Sequence, residues 1–323
     1  MSSASRDWRQ PPSSDHEPCK ILIKRGGFTD AARGGRVVPY KIYHPVEHGL
    51  SRLPVIIWSH GLGGTADGAA FLGRFVASHG YVVVNMQHAG TDSALWEGKP
   101  GHPWDVIRAT PISREVTMNR FLDVPFVLDQ LPGWAEENPE VGTLDLSRLG
   151  MSGHSFGAMT TQIMAGQLFP DADGVLHSFR EDRFRAAIAY SPVPAHDDET
   201  GGGHGKDAIY GPIAIPALYM TGTEDISPLG GITAKQREEP FEHAGAGDQS
   251  LVVLEGGDHM VFAGSRGKLA ENPRRARQEE IIKILSLAFW DAHLGGNGAA
   301  QAWLNGSGVA EFLGKDALCR HRP

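Results

Sequence analysis

Cysteine is nearly absent. Cys19 and Cys319 are the only two, too few for a disulfide framework or a thiolate metal site. Basic charge is not in excess either: 30 Lys+Arg against 38 Asp+Glu leave a net charge of −8. Such a chain lacks the positive field that carries non-specific nucleic-acid affinity, so a nucleic-acid partner is excluded. No apolar run approaches the 18 or more residues that a spanning helix needs, and the N-terminus has no apolar signal core. Membrane insertion is therefore excluded and a cytoplasmic location is the default; the plainer reading of the cysteines is two unpaired thiols, while a Cys19–Cys319 bridge tying down both termini would mark an oxidising compartment, which leaves secretion open. What the chain does have is 41% hydrophobic residues and 41 glycines in 323, enough for a sizeable core with many tight turns.

Residues 1–18 are polar, carry three prolines and show no hydrophobic period; they read as a disordered arm. From Cys19 the apolar residues alternate in two short stretches, around Ile21–Ile23 and Val37–Tyr43, as in an antiparallel hairpin. Continuous β-branched runs at 54–59 and 81–85 read as strands buried on both faces. Helical patterns at 69–78, 113–131, 156–168 and 277–294 alternate with further strands at 149–152, 186–190, 217–221 and 251–254. Strands separated by helices pair in parallel, since a parallel connection needs a crossover. The expectation is one doubly wound, mostly parallel α/β sheet with helices on both faces: a catalytic domain over 19–295, flanked by the arm and by a C-terminal tail (296–323) packed on it. The Gly-rich stretch 200–205 reads as a surface loop, and the segment between the strands ending at 190 and starting at 217 is too short for a large cap domain.

In open α/β sheets the carboxyl ends of the strands form the functional edge. At one such end stands Gly153-His154-Ser155-Phe156-Gly157, between a short strand and a helix, the context of a nucleophile elbow. Glycines two residues either side of Ser155 remove side chains that would collide across the reversal. A serine hydroxyl needs a base; among 15 histidines, His259 is the candidate that follows a strand's carboxyl end, whereas His243, His293 and His321 lie elsewhere. The partner carboxylate is Asp225, after the strand 217–221, with Glu224 and Asp258 as alternatives. Oxyanion donors are expected at the backbone N–H of Phe156 and, from the loop His60-Gly61-Leu62-Gly63-Gly64, at that of Leu62. His60 has no second metal ligand at usable spacing and reads as a brace for its loop. Trp96, Trp104 and His154 are expected to line the substrate pocket, bordered by the Trp96/Trp104 loop and residues 191–211. No metal or organic cofactor is called for.

With Ser59-His60-Gly61-Leu62-Gly63-Gly64, Ala77-Ser78-His79-Gly80-Tyr81 and Gly153-His154-Ser155-Phe156-Gly157 together, the chain resembles the α/β-hydrolase superfamily over about residues 20–295. Within it, the likeness is to dienelactone-hydrolase and platelet-activating-factor-acetylhydrolase-like esterases. The resemblance implies a serine carboxylic ester hydrolase acting on small or medium esters through an acyl-enzyme. Two departures stand out. Dienelactone hydrolases proper use cysteine where this chain has Ser155. In the acetylhydrolases the acid follows the preceding strand, where this chain reads Ala189-Tyr190-Ser191-Pro192, without a carboxylate; that argues against phospholipid specificity. A lactone, an amide or an aromatic polyester would serve the same triad, and an inactive binding protein is the reading from another class.

Overall fold

The computed structural model of the chain describes residues 6–46, 49, 52–195, 203–264 and 272–323. Strands β1 (Ile21–Asp30) and β2 (Arg36–Pro45) form an antiparallel hairpin, with Ile21 opposite Pro45 and Asp30 opposite Arg36. The Asp30 carboxylate fixes its turn by accepting the amides of Ala32 and Arg33 at 3.0 and 3.2 Å. Next come β3 (Arg52–Ser59), α1 (Ala70–Ser78), β4 (Val82–Met86), α2 (Pro103–Arg108), α3 (Arg114–Glu137), β5 (Thr143–His154) and α4 (Phe156–Ala165). A small antiparallel ribbon, β6 (Phe169–Pro170) and β7 (Leu176–His177), leads to β8 (Phe184–Tyr190), α5 (Lys206–Tyr210), β9 (Ala217–Glu224), α6 (Glu239–His243) and β10 (Gln249–Asp258). The chain then forms α7 (Arg275–His293), α8 (Gly298–Asn305), α9 (Ser307–Leu313) and β11 (Ala317–Arg322).

Nine of these strands make one sheet in the order β1-β2-β4-β3-β5-β8-β9-β10-β11. Its centre, from β4 across to β10, is parallel, and β1, β2 and β11 join antiparallel at the edges. This is the α/β architecture that the alternation of patterns predicts. Strand β3 shows why its sequence has no polar face: Ile56 and Trp58 enter the core under α1 and α7, while Leu53, Val55 and Ile57 enter the opposite core under α3. A strand sandwiched between two helical layers has no solvent side to mark with polar residues. Between β8 and β9 the described residues carry the five-residue α5 and no cap domain; 196–202, which include part of the expected surface loop, lie outside the described residues.

Three expectations need correction. Residues 6–18 are not a free arm: Trp8 is buried, its ring 5.3 Å from that of Trp303, and its indole N–H donates to Asp291 at 2.9 Å. Arg6 pairs with the same carboxylate, and Tyr81 donates to it at 2.8 Å. One tryptophan in a polar stretch has no period to reveal it, so its seat is visible only once α7 and α8 are in place. The tail at 296–323 does more than pack on the domain, because its last segment adds a ninth strand to the sheet. Strand β10 runs on past Leu254, through an irregularity, to Asp258, so the next residue, His259, leaves the strand directly. Cys19 and Cys319 are both free, in keeping with the plainer reading of the two thiols. No helix among the described residues is long and apolar enough to cross a membrane.

Candidate active site

Ser155 joins β5 to α4 with φ 57° and ψ −116°, in the region that non-glycine residues avoid. The turn is tight enough to explain both flanking glycines. A Cβ on Gly153 would stand 2.4 Å from the Gly157 carbonyl oxygen, and one on Gly157 would stand 1.9 Å from that of Ser59. Strand β3, the elbow and the start of α4 are thus pressed together backbone to backbone. The strain persists because neighbours over-determine it; the Ser155 amide, for one, donates to the Tyr190 carbonyl at 2.9 Å.

The structure brings Ser155, His259 and Asp225 into one line. Ser155 Oγ lies 3.0 Å from His259 Nε2, and His259 Nδ1 lies 2.7 Å from Asp225 Oδ1. With Nδ1–H donating to the carboxylate, Nε2 is left as an acceptor for the serine hydroxyl. Thr221 Oγ1–H donates to the other oxygen, Asp225 Oδ2, at 2.9 Å. The alternatives stand elsewhere: Glu224 is exposed, and Asp258 turns away to accept the amides of Met260 and Val261 at 2.8 and 3.0 Å. His243 and His321 face Asp207 and Asp248 at 2.7 Å, and His293 faces Asp248 at 3.6 Å. The ends of β9 and β10 meet through glycine as well, since a Cβ on Gly222 would stand 2.1 Å from the Gly257 carbonyl oxygen. The glycines before His259 therefore serve close strand packing as well as a turn.

Arg237, which the sequence does not single out, completes this cluster. It is buried; its Nε lies 2.8 Å from Asp225 Oδ1, and its Nη1 donates to the carbonyls of Ser191 and Pro192 at 3.1 and 2.9 Å. Its Nη2 stands 3.1 Å from His259 Nδ1, a contact between two donors while Nδ1 holds its proton. Burial pushes the Asp225 carboxyl up, but the hydrogen bond from His259 and the charge of Arg237 outweigh it and hold the group below the ordinary carboxylate range. Burial lowers the His259 pKa below 6.5; Asp225 opposes the shift and Arg237 reinforces it. A neutral imidazole beside an ionised carboxylate is the resting state a general base needs.

The expected donors flank this line. Leu62 lies in a loop pressed on the elbow, where a Cβ on Gly61 would stand 3.4 Å from Ser155 Cβ. Among the described residues, no protein acceptor is paired with the amide of Leu62 or Phe156. His60 braces the loop with both ring nitrogens, Nδ1–H donating to the Gly61 carbonyl at 2.7 Å and Nε2 accepting the His88 amide at 3.0 Å. His154 reaches under the site: its Nε2–H donates to the His259 carbonyl at 2.7 Å, and burial drops its pKa to about 3, so the ring is neutral.

A cavity of about 260 Å³ opens over Ser155 and His259. Trp96, Trp104 and His154 line it, with Leu62, Ile107, Leu229 and Met260. Trp96 is held by its indole N–H to the Gly63 carbonyl at 2.8 Å. The border expected from residues 191–211 is supplied instead by Ser227–Leu229, after β9: the lining includes no described residue of 191–211. No group of three or more metal-ligating side chains occurs among the described residues.

Residues 27–98 match the model of the family described as platelet-activating factor acetylhydrolase, isoform II. The match takes in the His60–Gly64 loop and Trp96, and stops short of the elbow. The platelet-activating factor acetylhydrolase of Cavia porcellus is 26% identical over an alignment covering 81% of this chain and 62% of the relative. That of Canis lupus familiaris is 24% identical with the same coverage. The fold is that of an α/β-hydrolase, and the chain is similar to the platelet-activating factor acetylhydrolases. It spans about three-fifths of the length of these relatives.

Proposed function

We propose that the protein is a serine carboxylic ester hydrolase, with Ser155 as nucleophile, His259 as general base and acid, and Asp225 as the carboxylate that orients His259. The observation that carries the reading is the run of contacts from Asp225 through His259 to Ser155, 2.7 and 3.0 Å long, ending at the floor of a cavity. Similarity to proteins named for an acetylhydrolase activity supports the same class. In the acylation step His259 Nε2 takes the Ser155 hydroxyl proton as Oγ attacks the ester carbonyl, and the amides of Leu62 and Phe156 receive the developing oxyanion. The intermediate collapses, the alkoxide leaves with the proton from His259, and the acyl group stays on Ser155. Water then attacks the acyl-enzyme, giving its proton to His259; Ser155 recovers it as the carboxylic acid departs.

The cavity's chemistry narrows the substrate. Its lining holds three tryptophans, Trp58, Trp96 and Trp104, with aliphatic side chains and prolines, and among the described residues no Asp, Glu, Lys or Arg. A site of about 260 Å³ with uncharged walls suits a small or medium ester that is neutral where it is enclosed, with an aromatic or short alkyl group against the indoles.

Turnover of p-nitrophenyl acetate and butyrate, with fluorophosphonate labelling mapped by peptide mass, tests the reading. Turnover and labelling at Ser155 are expected, both abolished by Ser155→Ala, and Asp225→Asn should lower kcat by about 10⁴. A folded protein with neither turnover nor label would be a binding protein on this fold. A panel of lactones, amides and an aromatic polyester sets the bond type.

A further inference from the structure

Behind the oxyanion loop lies a second buried polar cluster that the proposed reaction does not use. Arg120 of α3 is wholly buried at its centre. Its Nε donates to Thr160 Oγ1 at 2.8 Å, its Nη1 to Thr91 Oγ1 at 2.7 Å, and its Nη2 to Ser59 Oγ at 2.8 Å and to the His60 carbonyl. All four acceptors are neutral oxygens. The carboxylate one turn along, Asp123, is taken by Arg33, Arg36 and His88. A guanidinium removed from water without a hydrogen-bonded counter-ion is disfavoured in its charged form, and burial drops its pKa to about 9.

The contacts reach both segments that carry the expected oxyanion donors, directly or through one intervening residue. Leu62 lies between His60, whose carbonyl Arg120 grips, and Gly63, whose amide donates at 2.8 Å to the carbonyl of Thr91, another Arg120 partner. Phe156 is held likewise: the Arg120 guanidinium carbon sits 4.6 Å from the centre of its ring, and Thr160 Oγ1–H donates to its carbonyl at 3.1 Å. Arg120 is in turn fixed from behind. Ser59 O–H faces His88 Nε2 at 2.9 Å, and His88 Nδ1–H donates to Asp123 at 3.0 Å. Ser59, His88 and Asp123 are the residue types of a hydrolytic triad, but all three are buried away from the cavity, so their relay holds position and reaches no substrate.

We propose that Arg120 is the positioning residue of the oxyanion hole, one buried cation that sets the spacing between the Leu62 and Phe156 amides and biases that point toward negative charge. The proposal rests on the ester-hydrolase reading above and names a part of that machinery.

The test compares the parent with Arg120→Lys, which keeps the charge but loses the fork of donors. Three quantities are read: kcat and KM on a p-nitrophenyl ester, the Ki of a trifluoromethyl ketone that forms the tetrahedral adduct, and the Kd of an ether isostere that cannot. Losing aligned oxyanion donors should lower kcat by about 10²–10³, weaken the ketone by the same factor, and leave KM and the ether within about threefold. A merely structural role would lower thermal stability with kcat and the ketone Ki unmoved; that result, or parallel losses for ketone and ether, overturns the proposal. If Arg120→Lys does not fold, Thr160→Val releases the Phe156 side alone. There a loss of about tenfold in kcat, shared by the ketone and not by the ether, supports the proposal, and unchanged kcat overturns it. A parent that neither turns over nor labels defeats the ester-hydrolase reading itself and takes this proposal with it, an outcome visible before any variant is made.

Discussion

At the scale of single residues, the site joins positions that differ in how they declare themselves. The Gly153–Gly157 motif is legible from its place between a strand and a helix, but only part of its steric demand is local: Gly153 is pressed on the Gly157 carbonyl four residues on, whereas Gly157 is pressed on the Ser59 carbonyl of β3. Asp225 and His259 are legible through their order and their place after strands. Arg237 is not, because Lys235-Gln236-Arg237-Glu238 has the look of a solvated charged face, and it is buried only once β9 and β10 bring Asp225 and His259 against it. Arg120 left a fainter trace. The buried stripe of α3 runs through Val124, Val127, Leu128 and Leu131 but begins with Thr117, Arg120 and Asp123, and polar side chains on a core-facing stripe mark a buried network.

The His259 environment yields a prediction with a sign. As the proposed base, His259 would act only when unprotonated, and its pKa is held below 6.5, first by burial, with Arg237 acting in the same direction. The rate therefore falls as pH drops through that lowered value, and the half-point of the acid limb of kcat/KM lies below pH 6.5. Arg237→Met removes one of the lowering influences and should move the half-point upward. Profiles of kcat/KM against pH for the two proteins check this; a parent half-point above 6.5, or a limb that ignores the substitution, contradicts it.

At the scale of elements, the helices and central strands follow from apolar patterning, whereas two terminal pieces do not. Strand β11, Ala-Leu-Cys-Arg-His-Arg, is an edge strand with a weak alternation, and its pairing with β10 is set by the tertiary fold. The segment around Trp8 is held by a few long-range contacts, to Asp291, Trp303 and, through the Arg6 carbonyl, the Asn297 side chain at 2.9 Å. Deleting a buried indole leaves a cavity and removes one of the three donors to Asp291, whose carboxylate keeps Arg6 and Tyr81. Trp8→Ala should lower unfolding free energy by about 3–5 kcal/mol and leave kcat/KM on a p-nitrophenyl ester near the parent value. Urea unfolding followed by circular dichroism measures the first, and an unmoved midpoint would show that the clasp contributes little.

For the whole molecule, sheet order decides a question that the composition alone leaves open. Cys319 lies in β11 and Cys19 stands two residues before β1, the strands at opposite edges. Eight strand spacings of about 4.8 Å each separate those edges along the sheet, while a disulfide needs Cα atoms within about 7 Å. Burial also pushes the Cys319 thiol pKa up, which slows its reactions. Alkylation of the denatured protein should add two groups per chain with or without prior reductant; uptake that depends on reductant would contradict this strand order.

The clasp at Asp291 also bears on the order in which the molecule is assembled. Arg6 and Trp8 find their partner 285 and 283 residues further along. At about 5–20 residues per second of synthesis, the first-made tryptophan waits roughly 15–60 s for its seat. During that interval β1 to β10 can pair in sequence, but the indole and the Arg6 guanidinium have nothing to close on until α7 has left the ribosome. Helices α7 and α8 thus seal a segment made about 280 residues before them, so a chain arrested before α7 would leave the Trp8 indole without its partner.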